Sequence, residues 1–229
     1  MNTRKMNARK LLVSVLMLGC VLVTACTSAT ATPLAPTAVP PTSIPPTTAP
    51  TATPDQSGNT FSPTTFDLPI TFSYSSDWKI DSEVSSQVSF TYKDYDGYFS
   101  FINPKTAKVA SPAAPYSVIP FPDDFVNWIQ AHGLIQVVKT QSVIVGGLPG
   151  TQIDADATPA CGEKTMWFLV GTGGWNCSFV DGHYRFIYLD DVHGERLLIM
   201  TQGNIPAQDF VLMTDASQKI LDSVIFSKP

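Results

Sequence analysis

The amino-acid sequence predicts an α+β domain, a central antiparallel sheet flanked by helices, and three observations lead there. Short runs of alternating β-branched and aromatic residues dominate the chain after Thr64. Clusters of Gly and Asp join those runs into consecutive hairpins, and two amphipathic helical stretches stand apart from them.

Strand patterns fall at 70–74, 87–92, 98–102, 135–145 (with room for a break), 150–155, 165–170, 175–180, 184–189 and 196–202. Turn chemistry lies between them at Asp94-Tyr95-Asp96-Gly97, Gly146-Gly147-Leu148-Pro149-Gly150, Gly171-Thr172-Gly173-Gly174 and Asp190-Asp191-Val192-His193-Gly194. The first helix, 123–132, opens on Asp123 and Asp124, spaces Phe125, Trp128 and Ile129 along one face, and meets Gly133 where a left-handed cap is expected. The second, 206–221, has Pro206 in its first turn and Phe210, Met213, Ala216 and Ile220 on one side, and a short strand at 224–226 follows it.

The N-terminal part is of a different kind. Arg4, Lys5, Arg9 and Lys10 precede an apolar run, 11–23, that is interrupted only by Ser14 and Cys20 and falls short of the roughly 20 residues a membrane span needs. Leu22-Val23-Thr24-Ala25-Cys26 then resembles the lipobox of bacterial lipoproteins. That resemblance implies cleavage after Ala25, a diacylglyceryl thioether on Cys26 and an extracytoplasmic, membrane-held protein; a plain secretory signal or an uncleaved anchor is the alternative. Residues 1–25 are thus read as signal peptide, 26–64 as a tether and 65–229 as one domain. From Thr27 to Thr64 the chain has 9 Pro, 11 Thr and a single charge, Asp55, a composition that favours extended polyproline II. Of the chain's 14 Lys and Arg and 19 Asp and Glu, four cations leave with the signal, so 10 cations face 19 acids, a net of −9. Nucleic acid is not expected as a partner of so acidic a protein.

Ile70-Thr71-Phe72-Ser73-Tyr74-Ser75-Ser76-Asp77-Trp78-Lys79-Ile80 resembles the first hairpin of PsbP-like and Mog1-like domains, which read aromatic, Pro, two residues, then Trp; Ser75 stands in place of that proline. Lys219-Ile220-Leu221-Asp222-Ser223-Val224-Ile225-Phe226 is similar to their terminal helix and last strand. The resemblance covers roughly 66–227. It implies an α/β/α sandwich and a role in assembly or docking, as its members serve photosystem complexes or a small GTPase. It carries no catalytic residue across.

The richest set of ligating side chains is Asp181, His183, Asp190, Asp191, His193 and Glu195, around one hairpin. Of these Asp181, His183, Asp191 and His193 are weak metal candidates, because about six residues of strand, roughly 20 Å, separate the two histidines. A solvated turn is the favoured explanation of the acids, and neither a metal nor another cofactor is expected. No Gly-x-Ser-x-Gly elbow, HExxH or Cys-x-x-Cys occurs. His132 is read as a helix C-terminal residue favoured by the dipole. Trp175, beside a glycine turn, and Tyr116, in the Pro-rich stretch 104–120, are the candidate ligand contacts, although that stretch also reads as irregular cover for a sheet edge. Export favours a bridge between Cys161 and Cys177, worth on the order of 3 kcal/mol if formed. A non-catalytic module that docks a protein, wall polymer or small ligand is the favoured function; a hydrolase or metal-dependent enzyme is the alternative.

Overall fold

The computed structural model describes residues 58–158, 166–170, 173–176 and 182–227, with backbone alone for 166–170 and 173–176. In chain order the elements are β1 (Asn59–Phe61), β2 (Ile70–Tyr74), β3 (Trp78–Val84), β4 (Gln87–Tyr92), β5 (Gly97–Ile102), a 3-10 turn (Pro104–Thr106), β6 (Lys108–Ala110), β7 (Val118–Pro120), α1 (Phe125–Gln130), β8 (Ile135–Val145) and β9 (Leu148–Ala157). There follow β10 (Met166–Val170), β11 (Gly173–Asn176), β12 (Gly182–Val192), β13 (Glu195–Asn204), α2 (Ala207–Leu221) and β14 (Ile225–Phe226).

Seven strands form the main sheet in the order β3-β4-β5-β13-β12-β9-β8, and every neighbouring pair is antiparallel. Period-two alternation gives this sheet two apolar faces. Phe90, Phe99, Ile187, Leu189 and Ile199 join Phe72, Met213 and Ile220 in one core, beneath α2 and β2. On the opposite face Ile153, Tyr184, Phe186, Leu198 and Met200 pack with Phe125, Trp128 and Ile129 of α1 and Val109 of β6. The chain is therefore α+β with a central antiparallel sheet, as its sequence predicts. The outer layers are less simple than helices alone, since α2 shares its layer with the small sheet β1-β2-β14 and α1 shares its own with β6 of the sheet β11-β10-β6-β7.

Four strands differ from the sequence reading for identifiable reasons. β1 lies in the stretch assigned to the tether; its Phe61 is 4% exposed and stacks on Phe72 at 4.9 Å, so one aromatic ring recruits a polar segment into the core. β6 and β7 form inside the Pro-rich stretch 104–120, where three residues each suffice because β10 pairs with β6. β3 is an edge strand that alternates Lys79, Asp81 and Glu83 with Trp78, Ile80 and Val84 but buries only Trp78.

Gly146 and Gly147 both take positive φ (55° and 82°), which turns β8 into β9 in two residues. A Cβ at Gly146 would also lie 2.7 Å from the Phe226 ring, so the turn doubles as the seat of the last strand.

Glu83 secures the start of the domain. Its Oε1 accepts from the backbone N–H groups of Thr64 (2.6 Å), Thr65 (2.7 Å) and Phe66 (3.2 Å). Burial alone would raise the carboxyl pKa, but these donors outweigh it and hold the pKa below its ordinary 4.5. A depressed carboxylate contributes stability that is complete above the unfolded pKa and is lost as pH falls through the folded one. Glu83→Ala is expected to speed amide exchange at residues 64–66 by about tenfold at neutral pH, with little change in exchange within β12. Equal exchange at residues 64–66 in both proteins would contradict this role.

Candidate functional site

A cleft of about 280 Å³ opens between the end of the main sheet and the first half of α2, lined among others by Val138, Asp154, Asp156, His183, Arg185 and Phe210. Antiparallel pairing places His183 opposite Asp156 and Arg185 opposite Asp154. These side chains share the face that carries Ile187 and Leu189 farther along β12, so α2 roofs polar groups at one end of the strand and apolar ones at the other.

The polar floor is paired within itself. Asp154 accepts from Arg185 Nε at 2.7 Å and Nη2 at 3.3 Å, and from Gln152 Nε2 at 3.2 and 3.1 Å, which satisfies both carboxylate oxygens. His183 Nδ1 lies 2.6 Å from Asp156 Oδ1. A carboxylate only accepts, so Nδ1 carries the proton and, in the neutral ring, Nε2 presents a lone pair. That Nε2 is buried and has no hydrogen-bond partner among the described residues, while the ring lies 5.4 Å from that of Phe210.

The lip is apolar. β8 slips register between Val137 and Lys139, which makes Val138 the extra residue of a bulge. Val138 is 63% exposed and Val211, on α2, 54%, and both line the opening. A second hollow, about 220 Å³ between β2 and the end of α2, is lined by Trp78 and Tyr92, but these are only 3% and 7% exposed and their rings serve the core.

Of the candidate site residues that the structure describes, His183 alone lines the cleft. His193 sits in the turn at the far end of β12 with φ 57°, and Asp191 Oδ1 accepts from Gly194 N–H at 2.7 Å, so these two build the turn. Among the described residues no group of three or more His, Cys, Asp or Glu is placed to hold a metal ion. Tyr116 packs inward, stacked 5.9 Å from the His132 ring, and its hydroxyl fills the space where a Cβ on Gly133 would be. Gly133 thus serves a close approach; the expected left-handed cap is absent, and α1 ends at Gln130 with Ala131 in right-handed geometry. His132 is 2% exposed, and burial lowers its pKa to about 4, so the neutral ring cannot act on the helix dipole as a charge. The backbone of Trp175, in β11, pairs with that of Phe168 in β10. Its side chain, together with Cys26, Cys161, Cys177 and Asp181, lies outside the described residues.

Asp154, Asp156, Arg185 and Val138 were invisible to motif reasoning. The available signal was polar alternation on two strands, Gln152-Asp154-Asp156 and His183-Arg185, which reads alone as a solvent face.

No protein-family model matches the chain, and no curated protein matches it in sequence. Its fold is similar to that of cyanobacterial PsbP from Synechocystis sp. PCC 6803, with 11% identity and a TM-score of 0.40 over 78% of this chain and 100% of that one. It is also similar to the immunity protein TplEi of T6SS from Pseudomonas aeruginosa (12% identity, TM-score 0.34, 70% of this chain and 45% of that one). The Tle4-Tli4 complex gives 13% identity and a TM-score of 0.33 over 70% and 47%. The chain spans about half the length of these last two. At these values the likeness assigns neither a partner nor an activity.

Proposed function

We propose that this protein is an exported lipoprotein whose folded domain docks a partner through the cleft beside α2, without catalysing a reaction. The observation that supports docking is the exposed apolar lip, Val138 and Val211, set around a small polar floor. Val138 and Val211 border one opening, so a partner seated there would cover both together with the polar floor. The lipobox-like residues ending in Cys26 support an extracytoplasmic domain on a Pro- and Thr-rich tether, and such a compartment would favour a Cys161–Cys177 bridge.

A photo-crosslinking side chain at position 211 of the full-length protein, irradiated in native membranes, is expected to give one discrete adduct, and the same group at exposed Ile225 none. Indistinguishable adduct patterns at the two positions would overturn the assignment. For the anchor, Cys26→Ala is expected to move the protein from the detergent phase to the aqueous phase or to leave an unprocessed precursor. Wild-type partition with the same mature N-terminus would refute lipidation there.

One observation favours a second reading. A carboxylate-oriented imidazole whose buried Nε2 has no hydrogen-bond partner among the described residues has the makings of a general base, so a hydrolase stays the alternative. Turnover of an ester or amide library that disappears in His183→Gln would favour it.

A further inference from the structure

On the face of the main sheet opposite α2, the loop that joins β6 to β7 folds back over a buried histidine. Residues 111–117 form a strap that carries its own hydrogen bonds. Ser111 N–H donates to Ser117 O at 2.7 Å, Ser111 Oγ to Ala113 O at 3.0 Å and Tyr116 N–H to Ala113 O at 3.1 Å. Its ties to the end of α1 are of another kind: Gly133 N–H donates to Pro112 O at 2.9 Å, and the Tyr116 ring lies on that of His132. Ala113, Ala114, Pro115 and Ser117 are exposed, and Tyr116 takes φ 55°, a strained value for a residue with a Cβ. Lifting the strap therefore gives up little apolar burial, keeps the bonds inside it and leaves β6 paired with β7.

The ring beneath has no place for a second proton. Nδ1 accepts from Leu134 N–H at 3.3 Å, so a proton added there would point at another donor. The titratable group that faces the ring is the Tyr116 phenol; α1 presents Trp128, β6 the Ala110 carbonyl and the approach to β8 Leu134. No charged side chain among the described residues shifts its proton affinity, which burial lowers and the Ala110 carbonyl partly restores. An imidazolium in this seat needs water. Trp128 and Leu134 cannot admit it without opening the core, since they are 6% and 0% exposed and the Trp128 Nε1–H donates to Ala110 O at 3.2 Å. The strap can.

We propose that the 111–117 strap is an acid-released cover: when His132 takes its second proton, Tyr116 moves off with the strap and water reaches the ring, while α1 and the main sheet stay folded. Opening binds a proton, so it is favoured as pH falls below 6.5 and the effect saturates near the closed-state value of about 4. What acid exposes is the end of α1 around His132, on the face of the sheet away from the cleft.

Amide exchange of the detergent-solubilised full chain, with each rate divided by that of a free peptide at the same pH, tests this without any substitution. At pH 7 the Gly133 amide, which closes the strap on Pro112, is expected to open at least about a hundredfold more often than the amides of β12, and without their response to low urea. Its protection is expected to fall about tenfold per pH unit between 6.5 and 4, and to lose that slope in His132→Phe. Labelling with ¹⁵N-histidine gives a second readout, because the chain has only His132, His183 and His193. Tyr116→Ala is expected to raise the titration midpoint of His132 by about one pH unit and to leave His193 in place. Gly133 protection that matches β12 in size and urea response would mean that the ring is wetted only by global unfolding, and would overturn the proposal. So would a pH slope that survives in His132→Phe, or a His132 midpoint unmoved by Tyr116→Ala.

Discussion

Replacing Phe72 with alanine is expected to destabilise the domain by about 3–5 kcal/mol, toward the upper end of the range for a buried phenylalanine. Phe72 is 1% exposed at the centre of the small sheet β1-β2-β14. Its ring stacks on Phe61 at 4.9 Å and on Phe101 at 4.8 Å and meets Phe90 edge-on at 5.6 Å, so it joins the outer layer to the main sheet. The surrounding rings belong to three separate strands and cannot all move inward, so much of the lost volume stays as a cavity. A domain of this kind has only about 5–15 kcal/mol in total. Urea titration should show a midpoint well below that of the wild type with the same slope, because the surface exposed on unfolding hardly changes. A loss under about 1.5 kcal/mol would mean that the outer layer collapses onto the gap or contributes little.

Acid is expected to remove about 3 kcal/mol through His132 alone, between the unfolded pKa of 6.5 and the folded value near 4. Burial is the cause, opposed in part by the carbonyl of Ala110. Leu134 N–H donates to Nδ1 at 3.3 Å, which fixes the proton of the neutral ring on Nε2, while Tyr116 and Trp128 enclose the ring at 5.9 and 4.7 Å. The unfolded chain binds a proton as pH drops below 6.5 and the folded chain does not until about 4. Stability is therefore complete above the first value, falls through the window and levels off below it. Unfolding free energies measured at intervals from pH 7 to pH 4 should show this slope in the wild type and lose most of it in His132→Phe, which keeps an aromatic ring but cannot titrate. Parallel profiles for the two proteins would assign the acid sensitivity elsewhere.

How much of this was legible beforehand follows from how far each signal travels along the chain. β8 reads directly from its sequence, bounds included, and α2 nearly so, because burial imposes a period that local residues display. β1 does not, since what fixes it is the contact of Phe61 with Phe72, eleven residues away, and the Thr- and Pro-rich composition around it argues the other way. The cleft is harder still. Asp156 and His183 are separated by 27 residues, Asp154 and Arg185 by 31, and only the register of β9 on β12 brings them face to face. Polar alternation on either strand alone looks like a wet surface until α2 is laid over it. The turn around Asp191 and His193 drew attention for the opposite reason, because ligating residues gather there in sequence while β12 carries His183 away to its other end.

The bulge in β8 makes the rim of the cleft separable from the sheet that bears it. Val137 faces Ala155 and Lys139 faces Asp154, so the ladder on either side of Val138 is already in step. Deleting that single residue would close the strand into a regular ladder and leave every other side chain of β8 on its present face, whereas an odd-numbered deletion in an ordinary strand turns the remainder over. One codon can thus be gained or lost at this position while both cores stay intact, which gives a lineage a way to reshape the rim of the cleft without having to find a new fold.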